Sequence, residues 1–191
     1  FMFISFAGDK VLAEQHTFTV SSSPKENNLR LSIKASGDWT KHLYKNLKAG
    51  AEARVEGCYG RMNYKDGVAK QIWIAGGIGV TPFLSWMRDF ETDLDHQISF
   101  YYTVRSETDA LFWDEFNAAA QKHKKFRATL NISARDGSLS AERIIADTQG
   151  DIIERHFYMC GPVPMTEAFQ SALIKRGVPA SQIHFEEFNF R

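Results

Sequence analysis

The first third of the chain carries short alternating runs of apolar and polar residues, which is the period of half-buried strands. Strands are predicted over residues 1–6, 11–20, 29–35 and 51–56. A short helix is predicted between the last two of these strands, over residues 37–47. Several short strands with little helix predict an antiparallel barrel or sandwich.

The pattern changes in the second part of the chain, where apolar runs alternate with segments of helical spacing. Strands are predicted over residues 72–75, 97–104, 126–133, 155–159 and 183–188. Helices are predicted between them, over residues 81–90, 111–121, 140–147 and 163–176. This alternation predicts a mostly parallel sheet with helices on both faces. We therefore predict two domains, residues 1–65 and 66–191.

A glycine-rich turn joins the first strand of the second domain to its first helix. Gly76-Gly77-Ile78-Gly79 follows the apolar run, and Thr81 and Pro82 suit an N-cap and a first helical position. A strand, a glycine turn and a helix N-terminus together present N–H groups to an anion. Pro82 replaces the last glycine of G-x-G-x-x-G, so spacing alone leaves a phosphate site and a plain tight turn equally open.

The other strand ends narrow this choice, because ligands of parallel sheets lie beyond the carboxyl ends of the strands. Those ends carry the glycine turn, Arg105, the pair Ser133 and Arg135, and Cys160-Gly161-Pro162. These are not ordinary loop residues, and their clustering predicts a nucleotide site.

Composition excludes several other classes of protein. Apolar residues make up 43% of the 191 residues, and 15 are Phe, so the chain is globular. Lys plus Arg equals Asp plus Glu at 23 each, which gives no reason to expect a nucleic-acid partner. Cys58 and Cys160 form no C-x-x-C pair and the histidines lack ligand spacing, so no metal site is predicted and a reducing compartment is favoured. No apolar run is long enough to span a bilayer.

Five local motifs carry a resemblance to a known family. They are His16-Thr17-Phe18-Thr19, Gly37-Asp38-Trp39-Thr40, Gly57-Cys58-Tyr59-Gly60, Gly76 to Pro82, and Cys160-Gly161-Pro162. In this order they resemble the ferredoxin–NADP reductase superfamily, and within it the dehydrogenase domain of bacterial NADPH oxidases in the ferric reductase branch. The resemblance implies an antiparallel β-barrel that binds FAD, without its opening strands, followed by a Rossmann-like α/β domain. That second domain would bind NADPH, with NADH as a possible substitute.

The resemblance also implies roles for residues of the first domain. Phe18 would cover one face of the flavin and Thr19 would lie near its N5 atom, with His16 near the ribityl or phosphate groups. Thr17 stands where the family pattern has Pro. The remaining flavin-binding residues implied are Lys34, Trp39, Thr40 and Gly60.

In the second domain the resemblance assigns the pyrophosphate of the dinucleotide to Gly76, Gly77, Gly79, Thr81 and Pro82. Cys160, with Gly161 and Pro162, would lie beside the nicotinamide, and Arg105, helped by Ser133 and Arg135, would accept a 2′-phosphate. Thr19, Cys160 and Glu186 would surround the point of hydride transfer. Phe188 would stack on the flavin and move aside as a gate, with Phe190 as its rival.

The activity implied is hydride transfer from NADPH to FAD, followed by single-electron transfer to the haem of a transmembrane domain in the same full-length protein. Oxygen reduced to superoxide, or ferric iron, would be the final acceptor. The domain would itself be soluble, on the cytoplasmic side of the plasma membrane. Two alternatives are a ferric or flavin reductase and an oxygenase-type reductase component. A third is a flavin-binding module without turnover. The oligomeric state stays open.

Overall fold

A computed structural model describes residues 1–186 of the chain. It contains two compact units, which divide between Arg61 and Met62. The sequence predicts the boundary after residue 65, four residues later. Phe188 and Phe190, the two predicted flavin-stacking residues, lie outside the described residues.

The first unit contains a three-stranded antiparallel sheet and one helix. Its elements are β1 (Met2–Phe6), β2 (His16–Phe18), α1 (Asp38–Asn46) and β3 (Ala53–Gly57), and the strand order is β2-β1-β3. The antiparallel arrangement is as predicted. Within residues 1–61 the sheet is open, so these residues do not close the predicted barrel by themselves.

The strand predicted over residues 29–35 is wrong. Only an isolated bridge joins Val20 to Leu31 in this segment. Serine hydroxyls take part in its backbone hydrogen bonding, because Ser21 Oγ donates to the Arg30 carbonyl at 3.1 Å and Ser22 Oγ accepts from the Arg30 amide at 3.1 Å. Such side-chain bonds compete with a regular ladder, and alternation of apolar residues does not reveal them.

The core of the first unit is built around α1. Trp39 and Leu43 lie one turn apart on the buried face of this helix and pack with Leu12. The Trp39 indole N–H donates to the carbonyl of Val11 at 2.8 Å, which ties the helix to the segment before β2. Phe18 is half-buried against this cluster.

The second unit contains a five-stranded sheet in which every strand is parallel to its neighbours. The strands are β4 (Lys70–Gly76), β5 (Gln97–Val104), β6 (Phe126–Ile132), β7 (His156–Cys160) and β8 (Ile183–Glu186), in the order β6-β5-β4-β7-β8. The predicted parallel sheet is confirmed.

Helices cover both faces of this sheet, also as predicted. They are α2 (Thr81–Arg88), α3 (Trp113–Lys122), α4 (Ser133–Asp136), α5 (Ala141–Asp147) and α6 (Val163–Lys175), of which only the short α4 is not predicted. Successive residues of β4 point to opposite faces: Trp73 packs with Phe83 of α2, whereas Ile72 belongs to the cluster that contains Ile144 of α5. Within residues 1–186, none of the helices has the length and apolar content that crossing a bilayer requires.

Candidate functional site

The glycine turn joins β4 to α2 without an intervening loop. β4 ends at Gly76, a single 3₁₀ turn covers Gly77–Val80, and α2 begins at Thr81. The predicted N-cap role of Thr81 is wrong, because its hydroxyl donates to the carbonyl of Ile78 at 3.2 Å and Val80 holds the N-cap position. Pro82 lies in the first turn of α2, as predicted.

Two of the turn glycines are required by the neighbouring loop. A Cβ on Gly79 would lie 2.3 Å from the carbonyl oxygen of Cys160, and a Cβ on Gly76 would lie 2.8 Å from Cδ of Pro162. A Cβ on Gly161 would in turn lie 2.9 Å from Cα of Gly76. The glycine turn and the Cys160-Gly161-Pro162 loop therefore pack backbone against backbone, at the carboxyl ends of the paired strands β4 and β7.

Gly77 differs from the other two glycines of the turn. Its φ of +53° lies in the left-handed region, and a Cβ placed on it would meet no atom within 4 Å. The backbone conformation of the turn favours glycine here. The open space beside Gly77 leaves one side of the turn accessible to a ligand.

Cys160 is the last residue of β7 and is fully buried. It lies between Ala75 of β4 and Glu186 of β8 in the register of the sheet. Burial, reinforced by the neighbouring Glu186 carboxylate, raises the pKa of the Cys160 thiol well above its ordinary value. The side chain is therefore a neutral thiol, and the structure places Cys160 beside Glu186.

The remaining predicted dinucleotide residues follow β5 and β6. Arg105 is exposed, and its carbonyl accepts from the Ala134 amide at 3.2 Å, which joins the end of β5 to α4. Ser133 is the first residue of α4. Arg135 is occupied by carboxylates: its Nε donates to Asp136 Oδ1 at 2.8 Å, and its Nη1 lies 3.4 Å from Glu107 Oε1. The hydrogen bond from Arg135 lowers the pKa of Asp136 to about 2.

A cavity of about 620 Å³ lies beside these strand ends. Its walls combine Phe112, Trp113 and Leu130 with the carboxylates of Glu107 and Glu115. Sequence reasoning did not find this cavity, because its lining comes from α3 and β6, and the acidic residues of α3 are typical of a solvated helix face. It places apolar and acidic groups next to Arg135.

Aromatic rings from β2 and α1 meet in the first unit. The Phe18 and Trp39 rings are stacked, with centroids 5.7 Å apart and an interplanar angle of 29°. The His16 ring lies 4.3 Å from that of Trp39. The structure therefore brings together three residues that the sequence predicts at the flavin.

Three other predicted flavin residues are placed differently. The Thr40 hydroxyl accepts from the Gly37 amide at 3.0 Å and donates to the Gly37 carbonyl at 3.0 Å, so it holds the start of α1. Its hydroxyl is committed to this capping role. Lys34 and Gly60 are exposed and do not belong to the aromatic cluster.

Two family patterns match the chain. The oxidoreductase NAD-binding domain matches residues 73–171, and the FAD-binding domain matches residues 1–81. The chain belongs to the oxidoreductase NAD-binding domain family. It is an FAD- and NAD(P)-binding oxidoreductase with the ferredoxin–NADP reductase-like fold, and the two patterns do not single out the NADPH oxidase branch.

Relatives of this oxidoreductase include reductase components of oxygenases. The reductase component of propane 2-monooxygenase from Gordonia sp. (strain TY-5) is 28% identical over 189 residues, covering 92% of this chain and 55% of the relative. The reductase subunit of glycine betaine monooxygenase from Chromohalobacter salexigens is 29% identical over 192 residues, covering 92% and 52%. This oxidoreductase chain therefore spans about half the length of these relatives.

A solved structure supports the same fold. The ferredoxin NADP⁺ reductase from Neisseria gonorrhoeae, crystallised with bound FAD and NADP, superposes with a TM-score of 0.75 at 17% identity. The superposition covers 97% of this chain and 84% of that one. At this identity the likeness concerns the fold alone.

Two buried polar groups in the first unit of this oxidoreductase are consistent with flavin binding there. The Thr19 hydroxyl and His16 Nε2 are buried and have no hydrogen-bond partner among residues 1–186, although the Glu14 carboxylate lies 3.5 Å from His16 Nε2. A buried polar group without a partner costs about 1–3 kcal/mol. The His16 ring lies against that of Trp39, and Thr19 follows Phe18 in the chain, so a flat ring with polar edge atoms bound here would satisfy both groups. Within the described residues no group of three or more His, Cys, Asp or Glu could hold a metal ion.

Proposed function

We propose that this chain is the flavin- and NAD(P)H-binding part of an oxygenase-type reductase component. Bound FAD would accept a hydride from NAD(P)H and release the electrons one at a time. The electrons would pass to a partner oxygenase. The observation that supports this proposal most is that the two relatives described above, matched over 92% of this chain, are reductases of oxygenases.

The residues of the chain would hold and orient the two cofactors. We propose that the open side of the turn at Gly77 receives the pyrophosphate of the dinucleotide, because this glycine turn lies between a strand and a helix N-terminus. Cys160 would lie beneath the nicotinamide as a neutral thiol, since its burial opposes ionisation. Phe18, Thr19 and His16 would contact the flavin, with Thr19 donating its free hydroxyl hydrogen.

The coenzyme preference rests on Arg105 in this proposal. Arg105 is exposed and forms no ion pair with residues 1–186, whereas Arg135 is paired with Asp136 and Glu107. A guanidinium that already holds two carboxylates is a poor partner for a 2′-phosphate, because that phosphate has to displace or sit beside them. We therefore propose a preference for NADPH that comes from Arg105, and little contribution from Arg135.

A second candidate is the dehydrogenase domain of an NADPH oxidase. The Gly37–Thr40 and Gly76–Pro82 motifs favour it. In that case the partner would be a haem-bearing transmembrane domain of the same protein, at the cytoplasmic side of the plasma membrane, and oxygen or ferric iron would be the final acceptor.

The test of both candidates begins with the purified 191-residue chain. We expect it to bind added FAD, which gives the protein the absorbance spectrum of a flavin. That absorbance should be bleached when NADPH is added in the absence of oxygen. Under the first proposal, electrons should then pass to a purified oxygenase supplied as the acceptor. Rapid superoxide formation only after fusion to a haem-bearing membrane domain would favour the second candidate. A chain that takes up no FAD would contradict both.

A further inference from the structure

The amino ends of the parallel strands hold a second cavity, of about 710 Å³. It lies where β4, β5 and β6 begin, next to Lys70, Gln97 and Arg127. The glycine turn lies at the other end of β4, six residues or about 20 Å away at 3.3 Å per residue. The cavity is therefore separate from the dinucleotide site.

Strand register explains how the cavity arises. Ile72, Ser99 and Arg127 lie side by side on neighbouring strands, on the face of the sheet that α5 covers. Ser99 is small and Arg127 is exposed, so the apolar packing that begins at Ile72 does not continue toward this edge. The segment from Asp147 to Arg155, which follows α5, forms the opposite wall.

The cavity has an excess of positive charge. Its cationic residues are Lys70, Lys124, Lys125, Arg127 and Arg155, and its acidic residues are Asp95, Asp147 and Asp151. The Asp151 carboxylate is bonded to Lys70 at 3.0 Å and to Arg155 at 3.1 Å. Burial, reinforced by the Asp147 carboxylate, raises the pKa of the Tyr101 hydroxyl. Across residues 1–186, Lys124, Lys125 and Arg127 have no carboxylate within salt-bridge distance.

Arg155 supplies a buried donor in the same wall. The residue is only 6% exposed. Its Nε donates to the Asp151 carbonyl at 2.5 Å and its Nη2 to the Asp151 carboxylate at 3.1 Å, but its Nη1 has no acceptor in the part of the chain described. A buried charged donor without an acceptor is more costly than a neutral one.

We propose that this cavity binds a phosphate group, either as the free ion or carried on a small molecule. A phosphate has several strongly accepting oxygens, and guanidinium and ammonium groups on different walls can each bond one of them. Lys124 and Arg127 provide the outer contacts, the Ser99 hydroxyl lies on the sheet beside Arg127, and Arg155 closes the inner wall. The site does not depend on the proposed function.

The proposal is tested by titrating the ¹⁵N-labelled chain with inorganic phosphate, and in parallel with glycerol 3-phosphate, at constant ionic strength set by chloride. We expect saturable shifts of the Ser99 and Arg127 amides with at least one of the two ligands. Saturation by inorganic phosphate assigns the free ion, and saturation by glycerol 3-phosphate alone assigns a carried phosphate. The same shifts should persist in saturating NADH, since the dinucleotide turn lies at the other end of the sheet.

Variants distinguish a specific phosphate site from nonspecific attraction of phosphate to positively charged residues. The double variant Lys124→Gln with Arg127→Gln changes exposed side chains only and should weaken binding at least tenfold. Arg54→Gln, an exposed residue of β3, should leave binding unchanged. The proposal is overturned if the shifts do not saturate, if chloride produces them equally, if the double variant binds as well as the parent chain, or if NADH displaces the phosphate.

Discussion

The two units of the molecule differ in how completely the packing and hydrogen bonds of their candidate ligand sites are satisfied. In the second unit the glycine turn and the Cys160 loop are locked by direct backbone contact, so close that a Cβ added at Gly79 would lie 2.3 Å from the Cys160 carbonyl oxygen. In the first unit the aromatic rings are packed, but the Thr19 hydroxyl and His16 Nε2 are buried and accept or donate no hydrogen bond among residues 1–186, although the Glu14 carboxylate lies 3.5 Å from His16 Nε2. One site is fixed by its own packing, whereas the other needs a ligand to complete its hydrogen bonds.

This difference indicates at which site ligand binding should stabilise the folded chain. A site that is already satisfied gains little order from its ligand, and its mutations act on folding. A site with unsatisfied groups gains hydrogen bonds when the ligand arrives, so binding should stabilise it by mass action. Mutations at a satisfied residue and at an unsatisfied residue should therefore differ in their effects on folding and on ligand binding.

The largest expected contrast is between the two cysteines. Cys58 of the first unit is exposed and Cys160 of the second is fully buried, with its pKa raised by burial. In the native chain at pH 8, Ellman's reagent should react with one thiol, and the second should react at least about a thousandfold more slowly, through unfolding.

The pH dependence of this labelling follows from the direction of the shift. A thiol whose pKa is raised on folding favours the folded state below its ordinary pKa of 9.0, and that contribution is lost as the pH rises above 9.0 toward the folded pKa. Above pH 9.0 the free energy of unfolding should therefore fall, and the slow labelling of Cys160 through unfolding should accelerate. Cys58→Ser provides the control and should leave the native chain unreactive; prompt labelling of that variant would contradict the buried position of Cys160.

The next contrast compares two glycines of one turn. Gly79→Ala forces a Cβ into the backbone of Cys160 and Gly161, and should lower the free energy of unfolding by about 3 kcal/mol, as overpacking does. Gly77→Ala meets no neighbour and should cost only about 1 kcal/mol, from its left-handed conformation. Urea denaturation measures both, and equal losses would show that the loop contact does not constrain the turn.

A smaller effect is expected at the unsatisfied hydroxyl of the first unit. Thr19→Val keeps the shape of the side chain and removes a buried group that lacks a partner within residues 1–186. The FAD-free chain should be unchanged or more stable by about 1 kcal/mol, while FAD affinity should fall about tenfold. Thr17→Val, two residues earlier in β2, is the matched control and should alter neither quantity. A variant that loses stability but binds FAD normally would place the role of Thr19 in folding.

The smallest effect concerns the two arginines that follow β5 and β6. Arg105→Ala should reduce the ratio of kcat/KM for NADPH over NADH about fivefold, the size expected for one exposed ion pair. Arg135→Ala should change that ratio less, because Asp136 already holds its guanidinium. Asp136→Asn should release Arg135 and raise the ratio. Equal responses to both dinucleotides in every variant would remove both arginines from coenzyme choice.

The sequence predicts the second unit better than the first, for a physical reason. Strand β5 is found over the predicted residues 97–104, because a buried parallel strand has a continuous apolar run as its signature. The false strand at residues 29–35 arises because serine hydroxyls near Arg30 carry hydrogen bonds that hydrophobic periodicity does not register. Local patterns are reliable where burial alone decides the structure.

The same limit applies to the candidate site. Sequence motifs identify Gly76, Gly79 and Cys160, but they suggest that the glycines serve the phosphate, whereas two of them serve the contact between loops. The hydroxyls of Thr40 and Thr81 are likewise committed to nearby backbone groups. Such commitments depend on three-dimensional neighbours and on local capping geometry, and a list of motifs does not contain them.

The backbone contact among Gly76, Gly79 and Gly161 has a consequence for how this enzyme can diversify. None of the three positions has room for a side chain, so neither loop can acquire a new substituent unless the other moves with it. If Arg105 sets coenzyme choice as proposed, variation in that choice is expected at such exposed positions, and randomised libraries should spare the glycines and concentrate there.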